Sequence, residues 1–162
     1  MDSKAIIARD DAHVLHTYAR SPLALVRGEG LYAYDAEGRR YLDFTSGIGV
    51  NALGYCHPAW VRAVAAQAGQ LQHTSNLYYT APCGALAEAL CRRTGLDAVF
   101  FGNSGAEANE GAIKAARKYS ADTYGPGRDR VLTLVNSFHG RTLATLTATG
   151  QDVFHRDFGP FP

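Results

Sequence analysis

An α/β fold with a parallel sheet is predicted by three features of the sequence. Ala98-Val99-Phe100-Phe101 and Val131 to Val135 (VLTLV) are short, continuous apolar runs, the pattern of strands covered on both faces. Between them, from about Ser104 to Tyr119, lies a stretch with a helix-start signal. Strand, helix, strand in that order makes a βαβ unit, and such units build parallel sheets flanked by helices.

The elements before this unit can be read in order. Met1 to Arg20 mixes Asp, Lys, His and Arg among apolar residues, so it has no apolar leader core. No stretch of the chain approaches a membrane span, and the expected location is the cytoplasm. Leu31 to Tyr34 and Arg39 to Phe44 alternate about a turn at Asp35-Ala36-Glu37-Gly38, which predicts a β-hairpin. Ser46 to Gly54 is rich in glycine and reads as a loop.

Pro58 then opens a helix to Gln72, with Trp60, Val64, Ala68 and Leu71 on one stripe. His73 to Thr80 is a polar and aromatic loop. Pro82 starts a second helix, with Leu86 and Leu90 on one face and Gly95 as its stop. A polar turn through Gly125-Pro126-Gly127 separates the third helix from VLTLV.

Composition narrows the function. The chain has 162 residues, 46% hydrophobic and 19% charged, ordinary for a globular domain with a core. Sixteen basic and 15 acidic residues leave a formal charge of +1, and no Lys/Arg block occurs, so nucleic acid is not an expected partner. Cys56, Cys83 and Cys91 are odd in number and lack metal-ligand spacing, which points to free thiols. His13 and His16 have helical spacing but no third ligand, so no metal site is expected. Cys56-His57 are neighbours in sequence, and neighbours rarely point at each other.

Two segments can carry chemistry. In Phe101-Gly102-Asn103-Ser104-Gly105-Ala106-Glu107 a strand gives way to a helix through small residues. Such a helix start offers unsatisfied N–H groups and the positive end of a dipole to an anion. Gly105 and Ala106 have too little side chain to block a phosphate. The same residues also form a capping box, Ser104-x-x-Glu107, which needs no ligand. The nucleotide-binding patterns Gly-x-x-x-x-Gly-Lys-Ser/Thr and Gly-x-Gly-x-x-Gly are absent.

The second segment, Asn136-Ser137-Phe138-His139-Gly140-Arg141-Thr142, follows VLTLV. Residues just past the C-terminal ends of parallel strands line the ligand crevice, so both segments are expected to face one pocket. There Phe138 can stack on a flat cofactor and Arg141 can clamp a carboxylate. The alternative reading puts Phe138 in the core and Arg141 on the surface or at a helix start.

Taken together, FFGNSGAEANEGAIKAARKYS and NSFHGRT resemble the class III (ω-amino acid) aminotransferases that depend on pyridoxal phosphate. GEGLYAYDAEGRRYLDFTSGIGVNALGYCHP is similar to the same family along its length. HTSNLYY and GQDVFHRDFGPFP look like its N-acetylornithine branch. The resemblance implies an α/β, fold-type-I transferase. Residues 1–57 would be an N-terminal segment of the small domain, and 58–162 the first part of the large parallel-sheet domain. It implies pyridoxal 5′-phosphate as cofactor, held by the backbone of Gly105 and Ala106 with Phe138 on the ring. Arg141 would take the substrate's α-carboxylate, with N-acetyl-L-ornithine as amino donor and 2-oxoglutarate as acceptor.

Within the family, ornithine, aminobutyrate and succinylornithine aminotransferases and a semialdehyde aminomutase are the alternative assignments for this chain. Tyr18 and Ile48 match positions near the substrate in relatives. A tyrosine replaces the latter in ornithine enzymes, so Ile48 argues against free ornithine. Two departures stand out: Tyr55 where the family usually has histidine, and Ala106 where threonine is common.

The family's chemistry also needs a lysine that forms a Schiff base with the cofactor. The lysines here are Lys4, Lys114 and Lys118. Lys114 is expected to pair with Glu110 one turn earlier on a helix surface. None of the three is placed for catalysis. The resemblance therefore implies a fragment of a homodimeric enzyme, inactive alone, whose incomplete sheet exposes an apolar edge. A non-catalytic, cofactor-binding chain is the contrasting reading.

Overall fold

The computed structural model describes residues 1–162, which divide into two compact units, Met1–Tyr78 and Tyr79–Pro162.

The first unit opens with helix α1 (Ser3–His13), started by Asp2, whose carboxylate accepts from the Ala5 N–H at 2.8 Å. Its sheet is antiparallel in the order β1 (Leu25–Glu29), β2 (Tyr32–Asp35), β3 (Arg40–Leu42). β2 and β3 are the expected hairpin, and β1 is an addition. Asp35 fixes the turn. The residue is 2% exposed, and its carboxylate accepts from Arg39 Nε at 2.6 Å, the Arg39 N–H at 2.8 Å and the Tyr41 hydroxyl at 2.9 Å. Burial pushes this carboxyl up, but the Tyr41 and Arg39 hydrogen bonds outweigh it and leave it below its ordinary value.

The glycine-rich stretch is an unusual turn. Ser46, Gly47, Ile48 and Gly49 all have positive φ (48, 60, 61 and 84°), so the chain makes a single left-handed turn. Asp43 anchors it, accepting from the Thr45 hydroxyl at 2.7 Å and N–H at 2.8 Å, the Tyr55 hydroxyl at 2.8 Å and the Ser46 N–H at 3.0 Å. The Thr45 and Tyr55 hydroxyls lead the effects that hold its carboxyl down to about 2. The Tyr55 ring lies over Gly28, where a Cβ would stand 2.3 Å from it. This explains the tyrosine at a position where histidine was expected: it packs on β1 and ties Asp43. Helix α2 (Pro58–Ala68) closes the regular structure of this unit, shorter than its apolar stripe predicted.

In the second unit, helix α3 (Ala81–Thr94) ends at Gly95 in the left-handed conformation, as the stop signal predicted. Helix α4 (Gly105–Tyr124) is followed by the short α5 (Leu143–Ala148) and a 3₁₀ turn, Asp152–Phe154.

One expectation is corrected. Residues 98–101 and 131–135 form no strand ladder, with each other or with any neighbour, and the sheet of this chain is the antiparallel one. A strand exists only where a neighbour's backbone completes its hydrogen bonds. The apolar runs lack that neighbour and stand open, with Leu132 96% exposed. Helix α4 nevertheless lies against both runs. Gly111 of α4 sits on Phe100, where a Cβ would come within 2.7 Å of the ring. Ile113 and Arg117 of α4 share a concavity of about 290 Å³ with Val131, Leu132 and Thr133.

Lys114 forms no ion pair with Glu110, contrary to expectation. Glu110 turns to α5, and the helix's ion pair is Lys118 with Asp122 at 2.5 Å.

Candidate cofactor site

The start of α4 has the cap its sequence specifies. The Ser104 hydroxyl accepts from the Glu107 N–H at 3.2 Å, and the Glu107 carboxylate takes Asn103 Nδ2 at 3.2 Å and the Ser104 hydroxyl at 3.3 Å. These bonds, led by that from Asn103, hold the Glu107 carboxyl below its ordinary value. The cap consumes one of the orphan N–H groups of the first turn. The N–H groups of Gly105 and Ala106 make no hydrogen bond within the chain. A Cβ on Gly105 would meet nothing within 4 Å, so the space beside Gly105 is open. The capping box and an anion site therefore coexist at one helix start.

The segment after VLTLV comes back to this helix. Gly140, with φ 135°, packs so closely on Ala106 that a Cβ would stand 2.7 Å from the alanine's Cβ. Asn109 Nδ2 donates to the His139 carbonyl at 2.7 Å. Glu110 accepts from the Thr142 hydroxyl, and from the Thr145 N–H at 3.4 Å. The two segments singled out in the sequence thus converge within one unit.

Phe138 stands half exposed beside Phe154, ring centres 5.8 Å apart and planes at 66°. The Arg141 guanidinium carbon lies 5.9 Å from the Phe138 ring centre and 5.8 Å from that of Phe154. A flat apolar ring and a planar cation therefore stand together on the loop that touches the helix start. Phe138 is not a core residue. Tyr18 and Ile48 belong to the first unit, where both are exposed, Ile48 on the left-handed turn.

Sequence reasoning missed three residues that hold the loop, Asn109, Glu110 and Thr149. Spacing offered one signal. Ala106, Asn109 and Glu110 fall at i, i+3 and i+4, a single helix face.

The chain belongs to the class III aminotransferases, whose family model matches residues 14–162. Acetylornithine aminotransferase of Haemophilus ducreyi is 56% identical over 161 residues, covering 99% of this chain and 41% of the relative. Among solved structures, an ω-transaminase from Thermomicrobium roseum matches with a TM-score of 0.93 and 32% identity, over 100% of this chain and 39% of that one. The ornithine aminotransferase of Toxoplasma gondii, whose active site holds PLP at partial occupancy, matches with a TM-score of 0.91 and 29% identity, over 99% and 38%.

The chain thus spans 41% of the length of the curated Haemophilus relative. The fold is the α/β, fold-type-I architecture of these enzymes, and the cofactor of the class is pyridoxal 5′-phosphate. No helix here is long and apolar enough to cross a membrane.

Proposed function

We propose that this chain carries the phosphate- and ring-binding part of an N-acetylornithine aminotransferase, working in arginine biosynthesis. The enzyme would move the δ-amino group of N-acetyl-L-ornithine to 2-oxoglutarate, as a cytoplasmic homodimer. The observation that carries the reading is the close packing of Gly140 on Ala106, which puts an open helix start beside Phe138 and Arg141.

The residues fit the cofactor. The Gly105 and Ala106 amides would donate to its phosphate, where the helix dipole adds attraction. The Phe138 ring would lie against the pyridine. Arg141 would bind the α-carboxylate through two parallel hydrogen bonds and leave the distal amine to react. Bound pyridoxal phosphate supplies an electron sink at the carbon that gives up its proton. The division at 57/58 between small-domain segment and large cofactor domain belongs to the same proposal.

The lysine that carries the cofactor is not Lys4, Lys114 or Lys118. Lys118 is tied to Asp122, and Lys114 stands on the exposed part of α4. Ile48 in place of an aromatic residue supports the acylated amine over free ornithine.

Titration of the protein with pyridoxal 5′-phosphate, followed by absorbance, tests the site. Binding should be saturable and weaken about two- to tenfold in Phe138→Leu, the loss of one ring-on-ring contact. Wild-type protein that shows no saturable binding overturns the proposal. For the substrate, rates on N-acetylornithine, ornithine and aminobutyrate should be compared in a protein of the relatives' length. Ornithine as the best amine would overturn that assignment.

A further inference from the structure

Phe138 and Arg141 stand on a loop, and loop side chains are only as well placed as their backbone. That backbone is held at His139. Its N–H donates to the Thr149 hydroxyl at 3.0 Å, and its carbonyl accepts from Asn109 Nδ2 at 2.7 Å. Both holders are fixed in turn. Thr149 is 1% exposed and its hydroxyl donates a hydrogen bond to the Thr145 carbonyl at 2.9 Å, while Asn109 is built into α4. The His139 ring is not the handle, since its Nε2 is buried without a hydrogen-bond partner.

Three neighbouring attachments repeat the pattern on one helix face. Ala106 meets Gly140, Asn109 meets His139, and Glu110 meets Thr142. Gly140 leaves no slack, and its φ of 135° is closed to ordinary side chains.

We propose that Asn109 and Thr149 are positioning residues, which clamp the His139 backbone from two sides and so set Phe138 and Arg141 against the helix start at Gly105 and Ala106. This rests on the functional reading above, in which that ring and that guanidinium flank the cofactor. Neither residue touches the reacting atoms. Each acts through the main chain of its neighbour, and displacements of about 1 Å at such sites can cost on the order of a hundredfold in rate.

The test uses the purified protein and three variants. Thr149→Val keeps the shape and removes the hydroxyl, Thr149→Ser keeps the hydroxyl, and Asn109→Ala removes the other holder from a helix position that tolerates alanine. Without ligand, exchange of the His139 amide should quicken about tenfold in Thr149→Val and stay within about twofold in Thr149→Ser, the scale of one hydrogen bond. Pyridoxal 5′-phosphate should bind about five- to tenfold more weakly to Thr149→Val and Asn109→Ala. Inorganic phosphate, which needs only the helix start, should bind all four proteins within about twofold.

A serine variant that behaves like the valine one overturns the proposal, as does parallel loss of both ligands or an unchanged His139 amide. If the amide responds as expected but wild-type protein binds phosphate and not pyridoxal phosphate, the functional reading falls and takes the purpose assigned to the clamp with it.

Discussion

Gly140 and Ala106, 34 positions apart in sequence, are packed so tightly that a methyl group on the glycine would overlap the one on the alanine. This places a loop bearing an aromatic ring and a guanidinium beside the amino end of a 20-residue helix. A substitution here tests the convergence directly.

Gly140→Ala should destabilise the second unit by about 1–3 kcal/mol, because it overpacks the contact and strains a backbone closed to alanine. Thermal unfolding followed by circular dichroism measures this. An unchanged midpoint would mean that the loop and the helix do not meet in solution.

Glu107 caps α4 and places a negative charge at the same helix start that would receive an anion. Glu107→Gln keeps the shape of the cap and removes the charge. Affinity for inorganic phosphate should rise about two- to fivefold, the usual scale of one charge at a helix end. A fall in affinity would show that the carboxylate's bonds to Asn103 and Ser104 matter more to the site than its charge. The depressed Glu107 carboxyl also predicts a pH effect. Its stabilising contribution is fully present above the ordinary value of 4.5 and is lost as the pH falls through the lower value of the folded protein.

Asp43 supplies a second acid-sensitive point, in the first unit. Its carboxyl, held at about 2 against an ordinary 3.8, stabilises the left-handed turn above 3.8 and ceases to do so as the pH falls through about 2. Tyr55→Phe removes one of the two hydroxyl donors. The Asp43 pKa, followed by carboxyl NMR, should rise part of the way back to 3.8. No movement would show that Tyr55 does not reach Asp43.

The chain on its own should transfer no amino group from N-acetylornithine. Borohydride treatment in the presence of pyridoxal phosphate should leave no cofactor on Lys4, Lys114 or Lys118 above the level of adventitious surface labelling. Turnover, or stoichiometric labelling of one of these lysines by intact mass, would refute the exclusion of Lys4, Lys114 and Lys118 as the cofactor's lysine.

What the sequence made legible was local. Ser104 and Glu107 announce a helix start, Gly95 a helix stop, and Asp35-Ala36-Glu37-Gly38 a turn, because each signal lies within a few residues of its effect. Pairing is different. Leu25–Glu29, with Arg and Gly inside, became a strand because β2 offered it a partner, whereas the more strand-like VLTLV had none.

The site divides along the same line. Its two segments were visible as strand-end loops. Glu110, four residues before Lys114, looked like half of a surface ion pair and instead receives Thr142. Nothing within reach of Thr149 in the sequence hints that it would hold His139, ten positions away.

Ala106, Asn109 and Glu110 meet the loop from a single turn of α4, and this has a consequence for change over time. Inserting or deleting one residue between 106 and 109 would swing the later two by about 100° around the helix axis. Their attachments would be lost together. A substitution at 109 or 110 removes one attachment, whereas a change of length between 106 and 109 removes two at once.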